Sequence, residues 1–222
     1  MSYQFRFDLV IGSLPDLLLG AWLTIQLSVV AMAIGLVVAI FSAIARMSGP
    51  DPLKWLIAAY VEVIRNTPFL VQIFIIFFGL PSIGIRFDPN LAALVALTLN
   101  VAAYVTEILR AGIESVARGQ TEAGTALGLT RLQVFRYVVL KPAMKSVYPA
   151  LTSQYVLLML QSSVISAISA EELTAIANDV ASRTFASFEV YIIVTGIYFV
   201  MGIGFSTVFK LLFHKIFAYP DK

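Results

Sequence analysis

LLLGAWLTIQLSVVAMAIGLVVAIFSAIA, residues 17–45, runs for 29 residues without a charged side chain. A bilayer-spanning helix needs roughly 20 consecutive apolar residues, so this stretch decides the fold class: the chain is a membrane protein. Uncharged runs also cover residues 146–170 and 190–209. Two shorter ones, 69–85 and 91–106, abut charges: Glu62 and Arg65 precede the first, Glu107 and Arg110 follow the second. Backbone polar groups in lipid have to be satisfied within the segment, which makes each span a helix. The expectation is an all-α integral membrane protein, a single domain over 1–222. Its five transmembrane helices cover residues 17–45, 55–80, 89–112, 146–168 and 190–213. The first has too long an apolar core for a signal peptide and is preceded by Asp8 and Asp16 rather than a basic cluster, so it is expected to stay in the mature protein.

Composition agrees. Of 222 residues, 59% are hydrophobic and 13% charged, against about 25% charged in soluble chains. Mean hydropathy is +0.90. A net charge of +2 is too small for a nucleic-acid binder. With no cysteine and one histidine, His214, no metal cluster is expected, and no nucleophile–base pair suggests catalysis.

Basic residues choose the orientation. With the C-terminus inside, the inner segments hold Arg46, Lys54, Arg110, Arg118, Arg131, Arg136, Lys141, Lys145, Lys210, Lys215 and Lys222, and the outer ones hold Arg6, Arg86 and Arg183. The expectation is an outer N-terminus and a cytoplasmic C-terminus. An inner loop then spans about 114–142, and an outer helix about 171–185 carries Glu171, Glu172 and Asp179.

The inner loop reads SVARGQTEAGTALGLTRLQVFRYVVLKPA over 115–143. It parses as two short helices. Thr121 caps the first, with Glu122 in its first turn, and Gly128 ends it in the left-handed conformation. Thr130 and Gln133 form a capping box for the second, and Pro142 limits its extension. The first helix has a small-residue surface, Ala123, Gly124, Thr125 and Ala126, that admits a close neighbour. From the residues alone this is either a docking knob for a soluble partner or an ordered loop covering helix ends.

Glu122-Ala123-Gly124, Gly128 and Leu140-Lys141-Pro142 resemble the cytoplasmic EAA loop of ATP-binding-cassette (ABC) importer permeases, with Gly124 in place of the second alanine and Lys141 inserted before the proline. RNTPFLVQ at 65–72 resembles the RGTPLLVQ segment of the polar-amino-acid branch. NVAAY at 100–104 with EILRAGI at 107–113 is similar to NSAAY…EIIRGGI, and RGQ at 118–120, SRTF at 182–185 and FEVY at 188–191 also match. The likeness covers about residues 17–213.

The resemblance implies a type I importer permease of the bacterial cytoplasmic membrane, surrounded by lipid. It implies a second permease subunit, identical or related, two ATPase subunits gripping the EAA helices, and an external solute-binding protein bringing a polar amino acid. ATP and Mg would sit on the ATPase; this chain has no Walker-A pattern and no expected cofactor. Glu122 would make an electrostatic contact with the ATPase, Ala123, Gly124 and Ala126 the close fit, Gly128 the turn and Pro142 the loop's end. Glu122 otherwise serves only its own helix dipole.

Charges within spans are functional candidates. The set is Glu62, Arg65, Glu107 and Arg110, with Arg65 expected to pair with Glu107 or Glu62. Thr67-Pro68 breaks the second span, by lining a cavity or as a plain kink. Asn100 and Tyr104 share one face of the third span. Gln161, Ser162 and Ser163 lie on the fourth, where the resembled pattern reads K-[DN]-[ST]-[ST]-L and this chain has Leu160 for the lysine. These six polar residues are the candidate pathway set. Alternatives are a passive channel or facilitator, the same machine with a non-amino-acid cargo, or a membrane anchor.

Overall fold

The computed structural model describes residues 5–217, and every regular element among them is helical. Lys222, among the expected inner cations, lies outside that range. A turn of helix, α1 (Phe7–Ile11), leads into α2 (Leu14–Ser48), which Gly49 and Pro50 end. Next come α3 (Asp51–Arg65) and α4 (Phe69–Phe74), the latter continuing as a π turn (Ile75–Gly79) and a 3-10 turn (Leu80–Ile83). Asp88 caps α5 (Pro89–Glu114) by accepting from the N–H groups of Asn90 and Leu91 at 3.0 Å. After the inner segment comes α6 (Arg118–Ala126), then one long helix, Arg131–Ile168, made of α7 (Arg131–Gln133), a π turn (Val134–Val139), α8 (Leu140–Gln161) and a 3-10 stretch (Ser162–Ile168). The outer helix α9 (Leu173–Thr184) and the last helix α10 (Ser187–Phe217) complete the chain.

Four of these helices are long and apolar enough to cross a membrane: Leu14–Ser48, Pro89–Glu114, Arg131–Ile168 and the last. The bent pair Asp51–Arg65 and Phe69–Ile83 makes a fifth crossing if counted as one. Within the expected second span over 55–80, the two halves of the pair meet at 111°. Pro68 has no N–H for the carbonyl of Ile64 and its ring crowds that turn, so the helix stops.

Small residues set the packing. Gly35 faces Val101 and the carbonyl of Thr98, letting α2 lie against α5. Gly112 faces Val147 and the carbonyl of Ala143, so α5 meets α8 nearly backbone to backbone. A methyl on Gly20 would fall 2.9 Å from Leu173 Cα of α9. Close approach through small residues is how helices associate in lipid, where apolar burial gives little drive. Leu17, Leu97, Leu158, Met159 and Leu173 are fully buried, whereas Phe199 and Val200 of α10 are each 68% exposed.

The outer segment is less exposed than its acidic residues suggest. Glu172 is fully buried. Its carboxylate caps α9 by accepting from Ala175 N–H at 2.7 Å and takes the Tyr198 hydroxyl at 2.8 Å. Thr24 of α2 accepts from Leu173 N–H at 3.0 Å, so α2, α9 and α10 meet at one knot. Burial pushes the Glu172 carboxyl above its ordinary pKa, and the hydrogen bonds from α9 and Tyr198 offset only part of this. The native state therefore holds this proton more tightly than the unfolded chain, and stability rises as pH falls from neutral toward the carboxylate range. Glu172→Gln is expected to flatten that slope, while Glu172→Ala loses the cap and costs about 0.5–2 kcal/mol. Melting temperatures in detergent across that pH range check both.

Candidate functional site

The inner segment makes a small platform. Its helix runs from Arg118, with Ala117 before it and no side-chain cap. Thr121 is therefore not the cap: its hydroxyl donates to the Arg118 carbonyl at 2.7 Å from inside the helix. Glu122 stands in the second turn rather than the first, so the helix dipole does not account for it. Gly128 has a φ of +79°. Its N–H bonds to Thr125 O at 3.0 Å, and Leu129 N–H bonds back to Gly124 O at 3.2 Å, a Schellman end. The Thr130–Gln133 capping box then starts the long helix.

This helix has two faces. Gly124 is buried, and a methyl there would lie 3.2 Å from Val134 Cγ2 and 3.4 Å from Val138 Cγ2. Glycine at this position belongs to an inward face that seats α6 on the foot of the long helix. Glu122, Ala123 and Ala126 point outward and are exposed, beside Leu127 at 81% and Leu132 at 75% exposure. The two leucines went unread in the sequence; leucines on either side of the Gly128 turn, shortly after the EAG triplet, are the signal that marks them. Pro142 does not end the second inner helix. The wide π turn immediately before it accommodates the missing N–H and the ring, and the helix continues to Ile168.

The intramembrane charges form a different network from the expected one. Arg65 does not pair with Glu107; its guanidinium lies 5.6 Å from the centre of the Tyr104 ring. Glu107 instead takes Arg46 of α2 at 2.6 Å and Arg110 one turn on, and Arg110 also reaches Glu114 at 2.5 Å. Glu62 accepts from Asn66 Nδ2 at 2.9 Å. Arg65, at the end of α3, meets α5 at Tyr104, about one turn before Glu107, and Glu107 is left to Arg46 at the end of α2. Glu107→Ala leaves two arginines without their shared carboxylate and is expected to cost about 1.5–3 kcal/mol. Exchanging Arg46 and Glu107 is expected to recover more of the melting temperature than exchanging Arg65 and Glu107.

Gln72 organises the break. Its Nε2 donates to Ile64 O at 2.7 Å, the carbonyl that Pro68 leaves free, and lies 3.0 Å from Thr67 O and Oγ1. Its Oε1 accepts from Asn100 Nδ2 at 3.0 Å. Thr67 and Asn100 are thus brought together through Gln72, and Tyr104 joins through Arg65. An amide one turn past a mid-span proline is a legible signal for this role, and the sequence reading did not use it. Asn100 Oδ1 and Gln161 Oε1 are buried without a hydrogen-bond partner among the described residues. Ser162 and Ser163 bond back to Met159 O and Leu160 O where the helix tightens to 3-10.

The profile of the family described as binding-protein-dependent transport system inner membrane component matches residues 17–218. A probable glutamine ABC transporter permease protein, GlnM of Bacillus subtilis (strain 168), is 40% identical over 187 residues, covering 84% of this chain and 87% of its own. The L-cystine transport system permease protein TcyB of the same organism is 36% identical over 218 residues, covering 97% and 93%. A crystallised amino acid ABC transporter with histidines superposes at a TM-score of 0.89 with 37% identity, covering 97% of this chain and 100% of that one. The inward-facing MetNI methionine ABC transporter shares the fold at a TM-score of 0.67 and 21% identity, covering 88% and 95%. The chain therefore belongs to the inner-membrane components of binding-protein-dependent transport systems, as a multi-pass permease subunit of the ABC importer type.

Proposed function

We propose that this chain forms, with a second permease subunit, the route by which a polar amino acid delivered by an external binding protein crosses the cytoplasmic membrane. Two separate ATPase subunits bind ATP and Mg and grip α6 from inside. The orientation that goes with this has the N-terminus outside and the C-terminus, with α6, in the cytoplasm. Relatives named for glutamine, cystine and arginine transport support a polar amino acid as cargo.

One observation carries the reading: α6 is seated through Gly124 on the foot of a single helix, Arg131–Ile168, that also bears Gln161, Ser162 and Ser163. Val134 and Gln161 are about 40 Å apart along an ideal helix, more than the hydrocarbon thickness. A push on Glu122, Ala123, Ala126 and Leu127 from a closing ATPase pair tilts this lever, and α5 follows through Gly112 against Val147. That is rigid-body switching between two access states. Asn100 and Gln161, with their free buried acceptors, and Thr67, Tyr104, Ser162 and Ser163 are the pathway candidates on this chain. Glu62, Arg65, Glu107 and Arg110 hold the helices in place.

The test is uptake by the complete complex in proteoliposomes, with radiolabelled glutamine, cystine and arginine offered through its binding protein. ATP-dependent accumulation of one of them is expected. Downhill flux indifferent to ATP and to the binding protein would make the chain a facilitator.

A further inference from the structure

Between α8 and α10 runs a groove in two adjoining stretches of about 600 and 590 Å³, which share Val156, Ser206 and Lys210. From Thr195 to His214 it follows α10 for about 28 Å, close to the thickness of the hydrocarbon layer. Thr195, Gly202, Ser206 and Lys210 fall at helical spacing on its α10 wall, and Thr152 and Ser153 stand on its α8 wall. Within the apolar run of α10, Thr195, Tyr198, Ser206, Thr207 and Lys210 all line this groove. A lipid-facing groove has no use for that, and intramembrane ionisable groups face protein or water-filled cavities.

Lys210 is exposed in this groove and has no carboxylate partner among the described residues. Leu160, which replaces the lysine of the resembled pattern, lines the same groove. Lys210 thus supplies a cation to walls that Leu160 leaves without one at that position. The hydroxyls of Thr152, Ser153 and Thr195 donate to their own helix, at 3.0, 3.1 and 2.7 Å, so their oxygens remain as acceptors.

We infer that this groove is a further stretch of the translocation route, apart from the six pathway candidates named above, and that Lys210 near its inner end binds the carboxylate that every amino-acid cargo carries. The hydroxyl oxygens of Thr152 and Ser153, which line the same stretch as Lys210, receive the ammonium group. The inference rests on the amino-acid importer reading and adds to it a residue selecting for a carboxylate. An anionic lipid headgroup is the competing occupant.

The chain has no cysteine, so one introduced thiol is unique within it. In vesicles holding the whole complex, Ser206→Cys and Lys210→Cys are expected to react with water-soluble, membrane-impermeant thiosulfonates. Lys210→Met is expected to lower uptake of the transported amino acid about tenfold while binding-protein-stimulated ATP hydrolysis persists. Lys210→Arg should retain transport. Adding an aminoethyl group to Lys210→Cys should restore it, and adding a sulfonatoethyl group should not. A Ser206→Cys thiol that no aqueous reagent reaches overturns the water-lined route. Full uptake by Lys210→Met overturns the carboxylate site, and loss of co-purifying anionic phospholipid in that variant with uptake intact assigns Lys210 to a headgroup instead. A Ser206→Cys thiol reached from water, together with an unsubstituted complex that accumulates none of the three amino acids, would overturn the cargo reading and, with it, the role of Lys210, while leaving the wet groove.

Discussion

Ala123→Arg is expected to abolish ATP-driven uptake while leaving the membrane domain folded. Ala123 lies on the exposed face of α6, next to Glu122 and Ala126, and Gly124 beside it faces inward onto Val134 and Val138. Ala123 and Ala126 keep the middle of this face low, so a partner backbone can approach it closely. A long cation there holds the partner off. Losing the centre of a small interface costs about 2 kcal/mol or more, a thirtyfold or larger fall in association. Elution of the ATPase with the chain, measured against the melting temperature of the chain alone, checks this. Gly124→Ala is the control: its methyl points at two valine side chains that yield by a few tenths of an ångström, and its added helix propensity of up to about 1 kcal/mol offsets the crowding. That variant should keep its ATPase.

Gly112→Leu is expected to prevent recovery of folded protein altogether. Even a methyl at this position overlaps Val147 and sits 3.3 Å from the Ala143 carbonyl, and α5 and α8 are the two helices that flank the inner platform. Backbone on one side leaves no flexible atom to move. Gly112→Ala should cost about 1–3 kcal/mol by overpacking, and leucine several times that. Gly196 has open space where a side chain would be, so Gly196→Ala in α10 should be tolerated or mildly stabilising. Monodispersity and melting temperature in one detergent rank the three variants.

The spans were legible because lipid imposes one constraint everywhere: no charge for about 20 residues and no unsatisfied backbone. Local chemistry was legible where it is written in adjacent residues, as in Thr130 with Gln133 and Gly128 after α6. What escaped depends on partners far away in sequence. Thr121 looked like a cap because nothing nearby shows that α6 starts at Arg118. Pro142 looked like a stop because a π turn leaves no residue signature. Arg46 and Glu107 are 61 residues apart, and their pairing follows from the packing of α2 on α5. Glu172 read only as an acid of the outer helix, because its hydroxyl partner, Tyr198, lies 26 residues on. The bend at Pro68 was legible as a break, but its angle was not, and neither was the place where Arg65 meets α5, over Tyr104 rather than at Glu107.

Docking of an ATPase on Glu122, Ala123, Ala126 and Leu127 of α6 is what couples ATP to transport in the proposed cycle. It is tested most directly by withdrawing the unmodified chain from its native membrane in mild detergent and identifying its companions by mass. A stoichiometric subunit carrying a Walker-A loop, released when Ala123 is changed to arginine, is the predicted result. A chain that emerges without such a subunit, under conditions that hold other ABC importers together, would contradict it.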